Sequence, residues 1–152
     1  MPLKGREGVE KAIEDTVIVL NKKLSAIYIK GLGDIIRATP VHFDGGGGLK
    51  NNWFLTVKSP STKERGGNAG GSSSFAEVGK MPNVVLGKKI YFTNNRPYAI
   101  IGEYGGYPNP PKVGTWTGNA YQKLSAGGYS RQAPNGMVRI SIKKMKAKVK
   151  KL

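Results

Sequence analysis

The chain has no cysteine, so disulfides and thiolate metal sites are excluded. It has one histidine, His42, which excludes a multi-histidine metal site within one chain. No apolar run approaches the roughly 20 residues needed to span a bilayer, so no membrane partner is expected. The first residues lead into an acidic amphipathic stretch, unlike a secretory signal. Acids are also few, nine against 25 Lys and Arg, which leaves a formal net charge of +16. Four of them, Glu7, Glu10, Glu14 and Asp15, fall in the first fifteen residues, and none follows Glu103. Six bases crowd the C-terminal end: Lys143, Lys144, Lys146, Lys148, Lys150 and Lys151. Such a field attracts polyanions, whether nucleic acid, a membrane surface or an acidic protein face; the plain alternative is a solvated tail that aids solubility.

The inventory for catalysis is thin. A reaction centre needs convergent groups, typically a nucleophile, a base and an orienting partner. His42 stands beside Phe43 and Asp44, but three residues in a row do not make a triad. The glycine run 45–48 lacks the Gly-Lys-Ser/Thr ending of a phosphate loop. Glu103 lacks the second carboxylate that a glycosidase pair requires. The expectation is a protein that is not an enzyme and carries no cofactor or metal. Basic charge interleaved with eight aromatics between Tyr91 and Tyr129 resembles a strand-binding surface, which makes a nucleic-acid-binding protein the alternative reading.

The order of elements is read from periodicity. Val9, Ile13, Val17, Leu20, Leu24 and Ile27 lie on one stripe of a helix, which Gly31 and Gly33 weaken or end. Asp34 then caps a short second turn, stopped near Thr39 by Pro40. Trp53 to Val57 reads as a strand, and Val84 to Leu86 with Ile90 to Thr93 reads as a strand pair or one strand interrupted at Gly87. Residues 58–74 read as a flexible loop by composition, and residues 105–136 as a second long loop anchored by Tyr107, Trp116, Tyr121, Leu124 and Tyr129. Between them, Pro97 to Tyr104 forms a short helix. Alternation of Val138, Ile140 and Ile142 marks Met137 to Ile142 as a last strand. The expected fold is α+β: an N-terminal amphipathic helix packed on a mainly antiparallel sheet, one domain over 1–142, with 143–152 as a basic tail.

Four stretches in order carry a resemblance. They are Thr39-Pro40-Val41 with Asp44-Gly45, then Leu49 and Trp53, then Asn94-Asn95-Arg96-Pro97-Tyr98-Ala99 running to Glu103-Tyr104-Gly105, and finally Gln132-Ala133-Pro134-Asn135-Gly136-Met137-Val138-Arg139. In these the chain resembles the neck and tail-completion proteins of tailed bacteriophages. The stretched spacing at His42-Phe43, the two long loops and the lysine tail depart from that pattern. The resemblance implies a structural virion protein, assembled in the host cytoplasm. It implies a homo-oligomeric ring, commonly hexameric, that completes the tail and joins it to the head. Its partners would be the head-side connector or stopper, the tail tube protein and, transiently, DNA in the lumen. Contacts of Glu103 with Arg139 or Arg131 are expected at or near a subunit interface, with Arg96, Tyr98 and Tyr104 beside them. Lys58, Lys63, Arg65 and the lysines from 143 to 151 are expected to face a partner or DNA.

Overall fold

The computed structural model describes residues 5–41, 46–104, 115–116, 121–122 and 133–152, the two short middle pieces as backbone alone. Its architecture is α+β. A single helix, α1 (Arg6–Ala38), runs through 33 residues, about 50 Å at 1.5 Å per residue. The expected stop at Gly31 and Gly33 does not occur. Gly31 instead lies against the last helix, α4 (Val138–Val149): a Cβ there would collide with the Met145 side chain. The glycine weakens the helix locally but lets two helices approach. Helix α1 ends at Thr39, whose backbone and hydroxyl return to the carbonyls of the last turn.

Strand β1 (Trp53–Val57) pairs antiparallel with β2 (Ile90–Asn94), with Trp53 opposite Asn94 and Val57 opposite Ile90. Trp53 stacks on Phe92 with ring centroids 5.0 Å apart, a diagonal cross-strand pair. Between the two strands lies helix α2 (Ser72–Val78), which covers the free edge of β1. Ser74 Oγ accepts the Trp53 N–H and Glu77 Oε2 accepts the Leu55 N–H, so side chains replace a missing neighbour strand. Helix α3 (Ala99–Tyr104) follows, and two-residue strands β3 (Thr115–Trp116) and β4 (Tyr121–Gln122) pair with each other. The core gathers Leu24, Leu32, Ile35 and Ile36 of α1, Trp53 and Leu55 of β1, and Val78, Met81, Val85 and Met137.

Three expected elements are corrected. Val84 to Leu86 is not a strand: the N–H groups of Val85 and Leu86 both donate to Asn21 Oδ1 on α1, at 2.8 and 3.0 Å. The span 58–74 is not a free loop throughout. Ser72–Ser74 opens α2, and Asn51, Asn52 and Asn95 donate to the carbonyls of Gly66, Arg65, Ser61 and Lys63. Met137 to Ile142 is not a strand, and 143–149 is not a tail. Met137 precedes α4 and the rest belongs to it, with Val138, Ile142, Met145 and Val149 recurring at spacings of four, three and four along one face. Lys and Ala between them favour the helix. The loop at 105–136 falls largely outside the described residues, as do its anchors Tyr107, Leu124 and Tyr129.

Candidate functional site

The described residues of the four motif stretches meet in space. Trp53 Nε1 donates to Thr39 Oγ1 at 3.0 Å, joining the first stretch to the second. Asn94 Nδ2 donates to the Leu49 carbonyl at 2.8 Å, joining the second to the third. Gly102 lies where a Cβ would press on the Leu49 side chain at 2.9 Å, with Met137 and Pro40 beyond, so the third stretch packs closely on the second and fourth. The third and fourth stretches join through Glu103.

Glu103 is 5 % exposed and closes the start of α4. Its Oε2 accepts the N–H groups of Met137 (3.2 Å) and Val138 (2.7 Å), and Oε1 accepts the N–H (3.1 Å) and Nε (2.8 Å) of Arg139. Three otherwise orphaned donors of a helix start are thus satisfied by a carboxylate more than thirty residues away in sequence, where the helix dipole favours negative charge. Burial by itself raises the Glu103 pKa. The Val138 N–H, the Arg139 side chain and the Arg139 N–H outweigh burial, and the net result lies below the usual carboxylate value. The Arg139 guanidinium also sits 4.4 Å over the Tyr104 ring, a cation–π contact on the outer side of the cap.

The other expected site residues fall into two groups. Arg65 and Arg96 are tied into the body. Arg65 stacks 3.9 Å over Phe54 and pairs with Glu77 at 3.1 Å. Arg96 donates to the Arg65 carbonyl at 2.6 Å and pairs with Glu64 at 3.4 Å. Glu77 also meets Lys80 at 2.7 Å; burial raises its pKa, but the hydrogen bonds from Lys80, Arg65 and the Leu55 N–H bring it below the usual value. Tyr98 is partly exposed, with its hydroxyl over Gly48. Lys58, Lys63 and all six lysines from Lys143 to Lys151 are exposed. Arg131 lies outside the described residues, as do His42 and Asp44.

A feature that the sequence reading did not anticipate lies beside α4. An apolar groove of about 560 Å³ opens between α1, β2 and α4. Leu32, Phe92, Ile142, Met145 and Val149 line it, and Lys88, Lys146 and Lys150 stand around it. The spacing of Ile142, Met145 and Val149 was the available signal, hidden among lysines. Among the described residues no group of three or more His, Cys, Asp or Glu is placed to hold a metal ion, and no helix is long and apolar enough to cross a membrane. Comparison with protein-family models, curated proteins and solved structures finds no match.

Proposed function

We propose that this protein is a structural component of a phage neck, a homo-oligomeric ring, commonly six-fold, that completes the tail and joins it to the head connector while DNA passes through its lumen. The observation that carries the proposal is the convergence of the four motif stretches. Thr39, Leu49, Trp53, Asn94, Gly102, Glu103 and Met137 form one linked set of buried and part-buried contacts. Residues used in this way specify a fold and the placement of α4, which suits a building block. The carboxylate among them is fully engaged by hydrogen bonds from α4.

The alternative, a free nucleic-acid-binding protein, draws on the exposed lysines of α4. The described aromatics favour it less. Trp53 stacks on Phe92, Phe54 lies under Arg65 and Tyr104 under Arg139, so these faces are occupied from within the chain. A mass measurement across a salt series separates the two readings. A ring with packed interfaces keeps its mass at high salt. A monomer whose DNA affinity falls steeply with salt, by about 0.9 log units per log unit of salt for each phosphate neutralised, overturns the ring.

A further inference from the structure

The first half of α1 has no cover. Residues 5–19 are all exposed, although Val9, Ile13 and Val17 continue the stripe that buries Leu24 lower on the same helix. Val9 and Ile13 are 61 % and 58 % exposed. This arm is about 22 Å long at 1.5 Å per residue. At 3.6 residues per turn Glu7, Glu10 and Glu14 lie along one side of the stripe and Asp15 on the far face; the arm's bases are Arg6, which pairs with Glu10, and Lys11. The groove beside α4 is its complement: an apolar floor with Lys88, Lys146 and Lys150 around it, and α4 with the three residues after it, Val138 to Leu152, holds seven bases and no acid.

We infer that the acidic arm of α1 docks into the lysine-bordered groove of a second copy of this chain. The inference deepens the ring reading and rests on it. Apolar side chains of the arm meet an apolar floor while carboxylates meet lysines at the border, the usual division between the core and rim of an interface. The occupant is a second copy because the arm cannot reach its own groove. Both lie on the same unbroken helix, and the seventeen residues from Ile13 to Lys30 hold them about 25 Å apart. Arm and groove are different surfaces, so the contact is heterologous: each copy gives an arm to one neighbour and a groove to the other, and the chain of contacts closes into a ring or runs on as a filament.

The test uses the full chain, with mass read by sedimentation and folding by circular dichroism. An arm variant, Ile13→Asp with Val17→Asp, and a groove variant, Val149→Asp, should each lose self-association by about tenfold or more, because each buries a charge in the contact core. Mixed together, they should form a one-to-one dimer and nothing larger, since one intact arm and one intact groove remain. Exposed charges supply a second test that spares the fold. Glu10→Lys with Glu14→Lys, and Lys146→Glu with Lys150→Glu, should each weaken assembly, and one chain carrying all four should recover it. A groove variant that still assembles like the wild type overturns the contact and leaves the ring reading standing, as does failure of the four-fold charge exchange to restore assembly. A wild type that stays monomeric at every concentration overturns the contact, and the place of the protein in a particle then decides the function separately.

Discussion

Replacing Glu103 by Gln removes one negative charge and leaves the side-chain volume almost unchanged. Its two oxygens accept four donors, three from the backbone at the start of α4 and one from the Arg139 side chain. Glutamine keeps one acceptor oxygen, which can serve Met137 and Val138. Its amide nitrogen then faces the N–H and Nε of Arg139, donor against donor. Hydrogen bonds to a charged group contribute about 1.5–3 kcal/mol each, and a buried donor left unsatisfied costs about 1–3 kcal/mol. The sum for Gln is about 2–3 kcal/mol once partial relaxation of the exposed side of Arg139 is allowed for. Alanine leaves all four donors without the carboxylate and should cost about 3–5 kcal/mol. Urea unfolding followed by circular dichroism reads both, and for a chain of this length 2–3 kcal/mol lowers Tm by about 5–10 °C. Arg139→Ala should cost much less, about 1 kcal/mol, because the backbone donors keep their acceptor. If Glu103→Gln unfolds within about 0.5 kcal/mol of the wild type, the carboxylate is not the cap of α4. The intrachain geometry also means that charge reversal at Glu103 perturbs folding directly, so it cannot by itself report on an interface.

Gly31→Ala should destabilise by about 1–3 kcal/mol despite its better helix propensity, because the methyl meets Met145; Gly31→Ala with Met145→Ala should recover part of the loss in the same unfolding assay. Asn21→Ala should cost about 2 kcal/mol, since it strands the N–H groups of Val85 and Leu86. Acid should destabilise the fold through Glu77 and Glu103. Both have lowered folded pKa values, so their contribution is complete above the unfolded value of about 4.3 and disappears as pH falls through the folded values; Glu103→Gln should flatten that loss in a pH series of urea midpoints.

Local pattern carried much of the architecture. Trp53 to Val57, all β-branched, aromatic or leucine, is the observed strand β1 to the residue. Pro97 signalled the short helix α3, which runs from Ala99 to Tyr104. The misses share one cause, a partner distant in sequence. Gly31 reads as a helix breaker until α4 is known to need the space beside it. Val84 to Leu86 reads as a strand until Asn21, on the first helix, takes its N–H groups. Over six residues Val138, Ile140 and Ile142 suit a strand as well as a helix; the deciding residues, Met145 and Val149, lie among lysines that resemble a solvated tail. Charge scarcity singled out Glu103, since no other acid follows residue 77, but left its partner open between Arg139 and Arg131 and set the contact at an interface, whereas the pair with Arg139 forms within the chain. Its capping role was not legible, because that depends on α4 being a helix. The same reassignment changes how the lysines are tested: truncation after Ile142 would remove Met145 from its packing on α1, so exchanging the lysines for Gln is the cleaner perturbation.

The central claim is best tested by locating the protein in an intact tailed particle, with an antibody or a fused tag visible by electron microscopy. Label should be confined to the junction of head and tail, and heads and tails should stay unjoined when the protein is absent. Label along packaged or free DNA, with joined particles still forming in its absence, would contradict that claim.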